Sequence, residues 1–227
     1  FRKLSFILVA VSVLLSGAFI VGPASAQEGV KVADADGLQA FGGKEGQASI
    51  FSQSAALAAF KLKRPVKLRA NRDDDMTITG KRHDLKIRYR VGHDAEGRIL
   101  GLEFTHLVRC GWAQDLSLPV ADRAMLHSDN CYHLPHIRIE SHRLKTNTQS
   151  ATAYRGFGGP QGMIGIERVM DHVAHATARP QLEVRRVNFY ASMDQAGAPQ
   201  QSTPFHMPVE DFIGHELVAA LATSADY

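Results

Sequence analysis

Cysteine is almost absent. Only Cys110 and Cys131 occur in 227 residues, too few to hold an iron–sulfur cluster or close a structural zinc site. The pair could join in an oxidising compartment, but two isolated buried thiols is the reading adopted. The eleven histidines are scattered. His172 and His175 fall on one helix face, yet no HExxH-type carboxylate pattern accompanies them, so protein side chains are not expected to ligate a metal. Excess charge of one sign is also lacking. The formal net charge is +3 and no basic run stands out, which argues against a nucleic-acid partner. What remains is a globular composition, 44% hydrophobic and 22% charged, long enough for one or two domains.

The first residues differ from the rest. Arg2-Lys3 precede an apolar run from Leu4 to Val21, and Ala24-Ser-Ala26 follows as a small-residue cleavage pattern. That is the layout of a secretory signal, with an uncleaved membrane anchor as the alternative. Residues 1–26 are therefore expected to direct export to the periplasm and to add nothing to the fold. Residues 27–40 read as a polar linker. The sequence does not begin with Met, so a fragment is expected.

Two glycine loops organise the remainder. Phe41-Gly-Gly-Lys-Glu-Gly-Gln47 leads into an Ala-rich helix, Gln47 to Leu62. Tyr154-Arg-Gly-Phe-Gly-Gly-Pro-Gln161 leads into a second helix reaching about Ala178, with Met163, Ile166, Met170 and Val173 at 3–4 spacing. Both loops read Phe-Gly-Gly, two residues, then Gly. Glycine permits φ > 0 and close backbone approach, Pro160 suits a first helical turn, and a helix start with unpaired N–H groups suits an anion. Each loop alone could be only a tight connection. Two of them, each carrying charge, point to a shared polyanionic ligand.

Alternation marks the strands. Pro65–Ala70, Leu85–Val91, Ile99–Val108 and His136–Leu144 all read this way, with a hairpin-type turn at His93–Gly97. Asn71–Asp75 reads as a solvated cap rather than a metal site. Asp115–Asn130 reads as helical or irregular around Pro119. Leu182–Asn188 is expected to be a short helix, and Val209–Ala222 an amphipathic one with Phe212, Ile213, Leu217 and Leu221 on one side. Strands mixed with helices at loop exits give an α+β class.

Four motifs in order, Phe41-Gly-Gly-Lys-Glu45, Asp73-Asp-Asp-Met-Thr-Ile-Thr-Gly-Lys-Arg-His83, Asp122-Arg-Ala-Met-Leu-His-Ser-Asp-Asn130 and Tyr154–Gln161, resemble the molybdopterin-binding part of xanthine dehydrogenases. More loosely, they resemble the wider molybdenum hydroxylase family that includes aldehyde oxidases. The resemblance runs over 41–227 and implies part of a larger molybdenum-binding domain. It implies a molybdenum–molybdopterin cofactor, with Phe41, Gly42, Gly43, Arg155 and Gly156 around it. Phe41 and Arg155 would lie beside the metal without being side-chain ligands. It implies a purine substrate stacked on Phe157 and flanked by Glu45 and Arg123. The blander readings are a first-turn carboxylate for Glu45, a surface cation for Arg123 and core packing for Phe157. No role is assigned to Trp112 or Gln161.

The family's catalytic base is a glutamate in a later Gly-Glu-Pro motif. None occurs in this sequence, so the chain alone is expected to be inactive, with no catalytic residue of its own. The resemblance further implies iron–sulfur and FAD groups in partner domains or subunits, an oligomer, and a cytoplasmic location at odds with the export-like start. The family's usual glycine run before the first loop is replaced by Gly37-Leu-Gln-Ala40. An exported, non-catalytic module for a phosphorylated ligand, or a gene remnant, is the alternative.

Overall fold

The computed structural model describes residues 19–21, 42, 46–192 and 201–226. Phe41, Gly43 and Glu45 of the first loop, and the stretch read as a linker, lie outside the described residues. The chain forms two compact units, and its class is α+β as the alternation predicts.

The first unit contains the described residues up to His83, with Cys110–Ser117 and Lys145–Arg155. Helix α1 (Ser49–Leu62) begins where Ser49 N–H bonds to Gly46 O at 3.1 Å. It buries Ser52, Ala55 and Ala59, one 3–4-spaced stripe, and ends at Lys63 in the left-handed region (φ 51°), two residues before Pro65. Strand β1 (Phe19–Val21) pairs antiparallel with β2 (Val66–Leu68), Phe19 opposite Leu68. Three residues of the apolar run thus acquire backbone partners, where residues 1–26 were expected to add nothing to the fold. Helix α2 (Arg72–Ile78) is capped by Asn71, whose side chain accepts from Asp74 N–H at 2.8 Å. Asp73, Asp74 and Asp75 fill its first turn, the end where negative charge is favoured. Thr79, Lys81 and Arg72 hold the Asp75 carboxyl below its ordinary range, the Thr79 hydrogen bond contributing most. The run is a cap, as its composition suggests.

The second unit contains Asp84–Arg109, Leu118–Leu144 and the described residues from Gly156 on. Strands β3 (Leu85–His93), β4 (Ile99–Gly111) and β5 (Ile137–Lys145) form a sheet in that order, with β3 and β4 antiparallel. Alternation puts Leu102, Phe104 and Val108 of β4 inside, and the register irregularity opposite Gly92 and His93 lets Ile99 turn inward as well. Ile99, Leu102 and Phe104 meet Ile166, Val169, Met170 and Val173 of α4 (Gly159–Thr177) and Tyr132 and Leu134. Each such large side chain stabilises the unit by roughly 1.5–3 kcal/mol. Helix α3 (Ser117–Leu126) tolerates Pro119 because it lies in the first turn. Helix α5 (Gln181–Val187) ends at Asn188, whose buried side chain accepts from Ile99 N–H at 2.8 Å and donates to Gly97 O and Val184 O. Cys110 and Cys131 are not joined to each other, and burial pushes the Cys131 thiol up to about 11. That is an unreactive thiol.

Helix α6 (Gly214–Ser224) is shorter than the periodicity predicts, and residues 209–213 lie outside it. Phe212 packs edge-on to Phe189 and Tyr190. Ile213, Leu217 and Leu221 are 62%, 53% and 56% exposed, so these members of the one-sided stripe are not buried among the described residues. No helix among these residues is long and apolar enough to cross a membrane.

Candidate functional site

In the first unit the two glycine loops touch. Gly42 adopts φ 83°, and a Cβ there would lie 3.0 Å from Ala153 O and 3.4 Å from Tyr154 Cα. Only glycine allows that approach without displacing the backbone. The receiving stretch is well held. Ala151 N–H bonds to Cys110 O at 2.9 Å and Thr152 N–H to Lys81 O at 3.0 Å, and Ala151, Thr152 and Ala153 are buried. Arg82 then fastens the loop itself. Its Nη2 donates to Arg155 O at 2.7 Å, and its guanidinium lies 4.5 Å from the Tyr154 ring centre. Arg155 is exposed. Arg82 belongs to the Asp73–His83 motif, but nothing in its spacing marks it as a partner for residues more than seventy positions away.

In the second unit the loop continues with Gly156 (φ 91°), Phe157 (φ 52°) and Gly158 (φ 98°), three left-handed residues in succession. A non-glycine residue in that region costs about 1–2 kcal/mol, so Phe157 is held there by its surroundings. Gly158 is the anchor. A Cβ on it would overlap Val120 O and approach Ala124 N at 3.1 Å, which seats the loop directly on α3. Arg123 of α3 is exposed and donates from Nε to His127 Nε2 at 3.2 Å. The His127 ring in turn sits beside Gly159, where a Cβ would be 2.7 Å from Cδ2. Phe157 is half-buried. Hence Arg123 and Phe157, singled out separately in the sequence, are brought to one helix–loop junction.

The expected unpaired helix-start amides are not where the sequence suggested. Gly159 N–H bonds to Gly156 O at 3.0 Å, Gln161 N–H to Gly158 O at 3.1 Å and Gly162 N–H to Gly158 O at 3.3 Å. Pro160 has no N–H. The first turn of α4 has therefore tightened and used its own donors. The amides of Gly156, Phe157 and Gly158 have no acceptor among the described residues. Consecutive amides in such a turn form a concavity that attracts anions. Among the described residues no group of His, Cys, Asp or Glu side chains could hold a metal ion. An anionic, oxygen-rich organic cofactor, which carries any metal on its own atoms, fits this donor set.

Residues 30–189 match the molybdopterin cofactor-binding domain family. The chain belongs to it. Similar curated proteins include xanthine dehydrogenase of Drosophila subobscura, 43% identical over 170 residues, and xanthine dehydrogenase/oxidase of Felis catus, 44% identical over 168 residues. These alignments cover 75% and 74% of this chain but only 12% and 13% of the relatives. This molybdopterin-binding chain therefore spans about an eighth of their length. Among solved structures, aldehyde oxidoreductase from Desulfovibrio gigas superposes with a TM-score of 0.69 at 27% identity, over 81% of this chain and 19% of that one. Quinoline 2-oxidoreductase from Pseudomonas putida 86 shares the fold, with a TM-score of 0.64 at 21% identity over 78% and 22% of the two chains.

Proposed function

We propose that this chain supplies the molybdopterin-holding and purine-recognising part of a xanthine dehydrogenase-type molybdenum hydroxylase. The carrying observation is the run of left-handed, unpaired amides at Gly156, Phe157 and Gly158. By family resemblance, Phe41, Gly42, Gly43, Arg155 and Gly156 would hold the cofactor. When bound, the cofactor supplies the oxidation chemistry, hydroxylating an electron-poor carbon. The chain's own residues bind and orient. Phe157 offers a ring face to a planar substrate, and stacking contributes about 0.5–1.5 kcal/mol beyond burial. Arg123 offers a fixed positive charge where negative charge accumulates on the purine. Glu45 accepts hydrogen bonds from ring N–H groups. The base would come from another part of the assembly, and iron–sulfur and FAD groups in partner domains or subunits would carry electrons away. The substrate reading is supported by the names of the relatives at 43% and 44% identity. The family match favours it over a module for a phosphorylated ligand.

The test uses the complete enzyme carrying these residues. Arg123→Met and Glu45→Val should each lower kcat/KM for xanthine by at least about tenfold, ~1.4 kcal/mol in the barrier, because buried polar partners are left unmatched. Aldehyde oxidation should fall far less. Equal losses on both substrates, at equal molybdenum content, would remove the purine assignment.

A further inference from the structure

Gln47 closes the first glycine loop, and its side chain is the hub of a polar cluster within the first unit. Its Oε1 accepts from Gly80 N–H at 2.7 Å. Its Nε2 donates to Asp115 Oδ2 at 2.6 Å and lies 3.5 Å from Ser150 Oγ. Asp115 Oδ1 in turn accepts from Thr152 Oγ1 at 2.9 Å and from Leu116 N–H at 2.7 Å. Asp115 is itself in the left-handed region (φ 43°), which aims the carboxylate at both loops. Gly46 completes the fit, since a Cβ there would stand 3.2 Å from Asp115 Oδ2. One carboxylate thus holds the end of the first loop and the segment that enters the second.

The polarity of this cluster is fixed. A carboxylate only accepts, so the Gln47 nitrogen must face Asp115 and its oxygen must face Gly80. Replacing Asp115 with Asn sets an amide NH₂ against the Gln47 NH₂. Flipping either amide moves the clash elsewhere, to Gly80 N–H or to Thr152 and Leu116. Replacing Gln47 with Glu sets two carboxylates face to face. Making both changes restores the cluster, with the bond between the two side chains reversed in direction and the Ser150 hydroxyl turned to donate. The new amide at position 115 then donates to the new carboxylate at position 47. That carboxylate still accepts from Gly80 N–H, and the amide oxygen at position 115 still accepts from Thr152 and Leu116.

We propose that Gln47 and Asp115 are positioning residues, a latch that fastens the two glycine loops to each other so that Gly42 and Ala153 meet. Their relevance to a cofactor rests on the function proposed above; the latch itself does not. Neither touches a reacting atom. Because both lie in loops and are separated by 68 residues, no sequence pattern pairs them.

Backbone hydrogen exchange on the full chain, without cofactor, tests the latch in four forms: wild type, Asp115→Asn, Gln47→Glu and the double variant. Each single change should speed exchange around Gly46–Gln47 and Ala151–Ala153 by at least about tenfold, with β3, β4 and β5 still protected. The double variant should return to within about threefold of wild type. Two residues acting independently would not show that rescue. Singles that exchange like wild type, or a double that is as fast as the worse single, overturn the latch. Molybdenum retained by the natural assembly should follow the same order, low in the singles and regained in the double. A wild-type assembly without molybdenum would count against the cofactor reading alone, because the exchange cycle is measured without it.

Discussion

His106 should make the second unit acid-sensitive, and removing it should relieve that sensitivity. The residue faces inward on β4 between Phe104 and Val108 and is fully buried. Neither ring nitrogen has a hydrogen-bond partner among the described residues. Burial disfavours the imidazolium and lowers its pKa from 6.5 to about 4. The folded pKa lies below the unfolded one. Above about pH 6.5 both states are neutral and the group has no effect. Between about 6.5 and 4 the unfolded chain takes a proton that the folded chain refuses, so stability is lost as pH falls. The gap is ~2.5 pH units at ~1.36 kcal/mol each, about 3 kcal/mol in all, a large fraction of the roughly 5–15 kcal/mol typical of a domain. His106→Leu keeps the volume similar and removes two orphaned polar atoms, each costing about 1–3 kcal/mol when buried unpaired. At neutral pH this variant should be as stable as wild type or more so, and its acid limb should be shallower. Urea unfolding of both chains, from about pH 7 down to about pH 4, measures the difference. Burial lowers the pKa of His133 and raises that of Asp129; these contributions are common to both chains and cancel in the comparison. Parallel acid limbs, or a ring titration of His106 near its ordinary value, would refute the argument.

Two further perturbations probe the frame under the site. Gly158→Ala forces a side chain into the left-handed region and onto Val120 O; it should cost at least about 2 kcal/mol, read as a lower denaturation midpoint. Asn188→Leu strands Ile99 N–H and Gly97 O in a buried setting. It should cost at least about 3 kcal/mol, and wild-type stability in that variant would contradict the role given to the side chain.

Much of the second unit was legible in the sequence because burial there has a period. Strands β3 and β5, and β4 from Leu102 on, alternate, and α4 carries its apolar residues at helical spacing, shifted only by Gly159 and Pro160 joining the first turn. Helix α6 shows the limit of such reasoning: Ile213, Leu217 and Leu221 have the right spacing, but periodicity does not say whether anything lies over the face. The pairing of β1 with β2 involves three residues each, too few for a pattern. At the site, the glycines, Arg123 and Phe157 stood out, since conformational freedom and motif order mark them. The use of α4's own first-turn amides did not, because hydrogen-bond satisfaction depends on how tightly one turn winds. Arg82, Gln47 and Asp115 were silent for a related reason. Their partners are distant in the chain, and polar loop residues have no period to betray them.

The central claim is that the glycine loops hold a molybdopterin cofactor, and its most direct test is the cofactor content of the natural assembly containing this chain. Molybdenum and released pterin should both be present at about one per chain. Gly42→Ala, which pushes a methyl group towards Ala153 O, should lower both by at least about tenfold while the circular dichroism spectrum stays native. A wild-type assembly with neither component, or a Gly42→Ala variant loaded as fully as wild type, would contradict it.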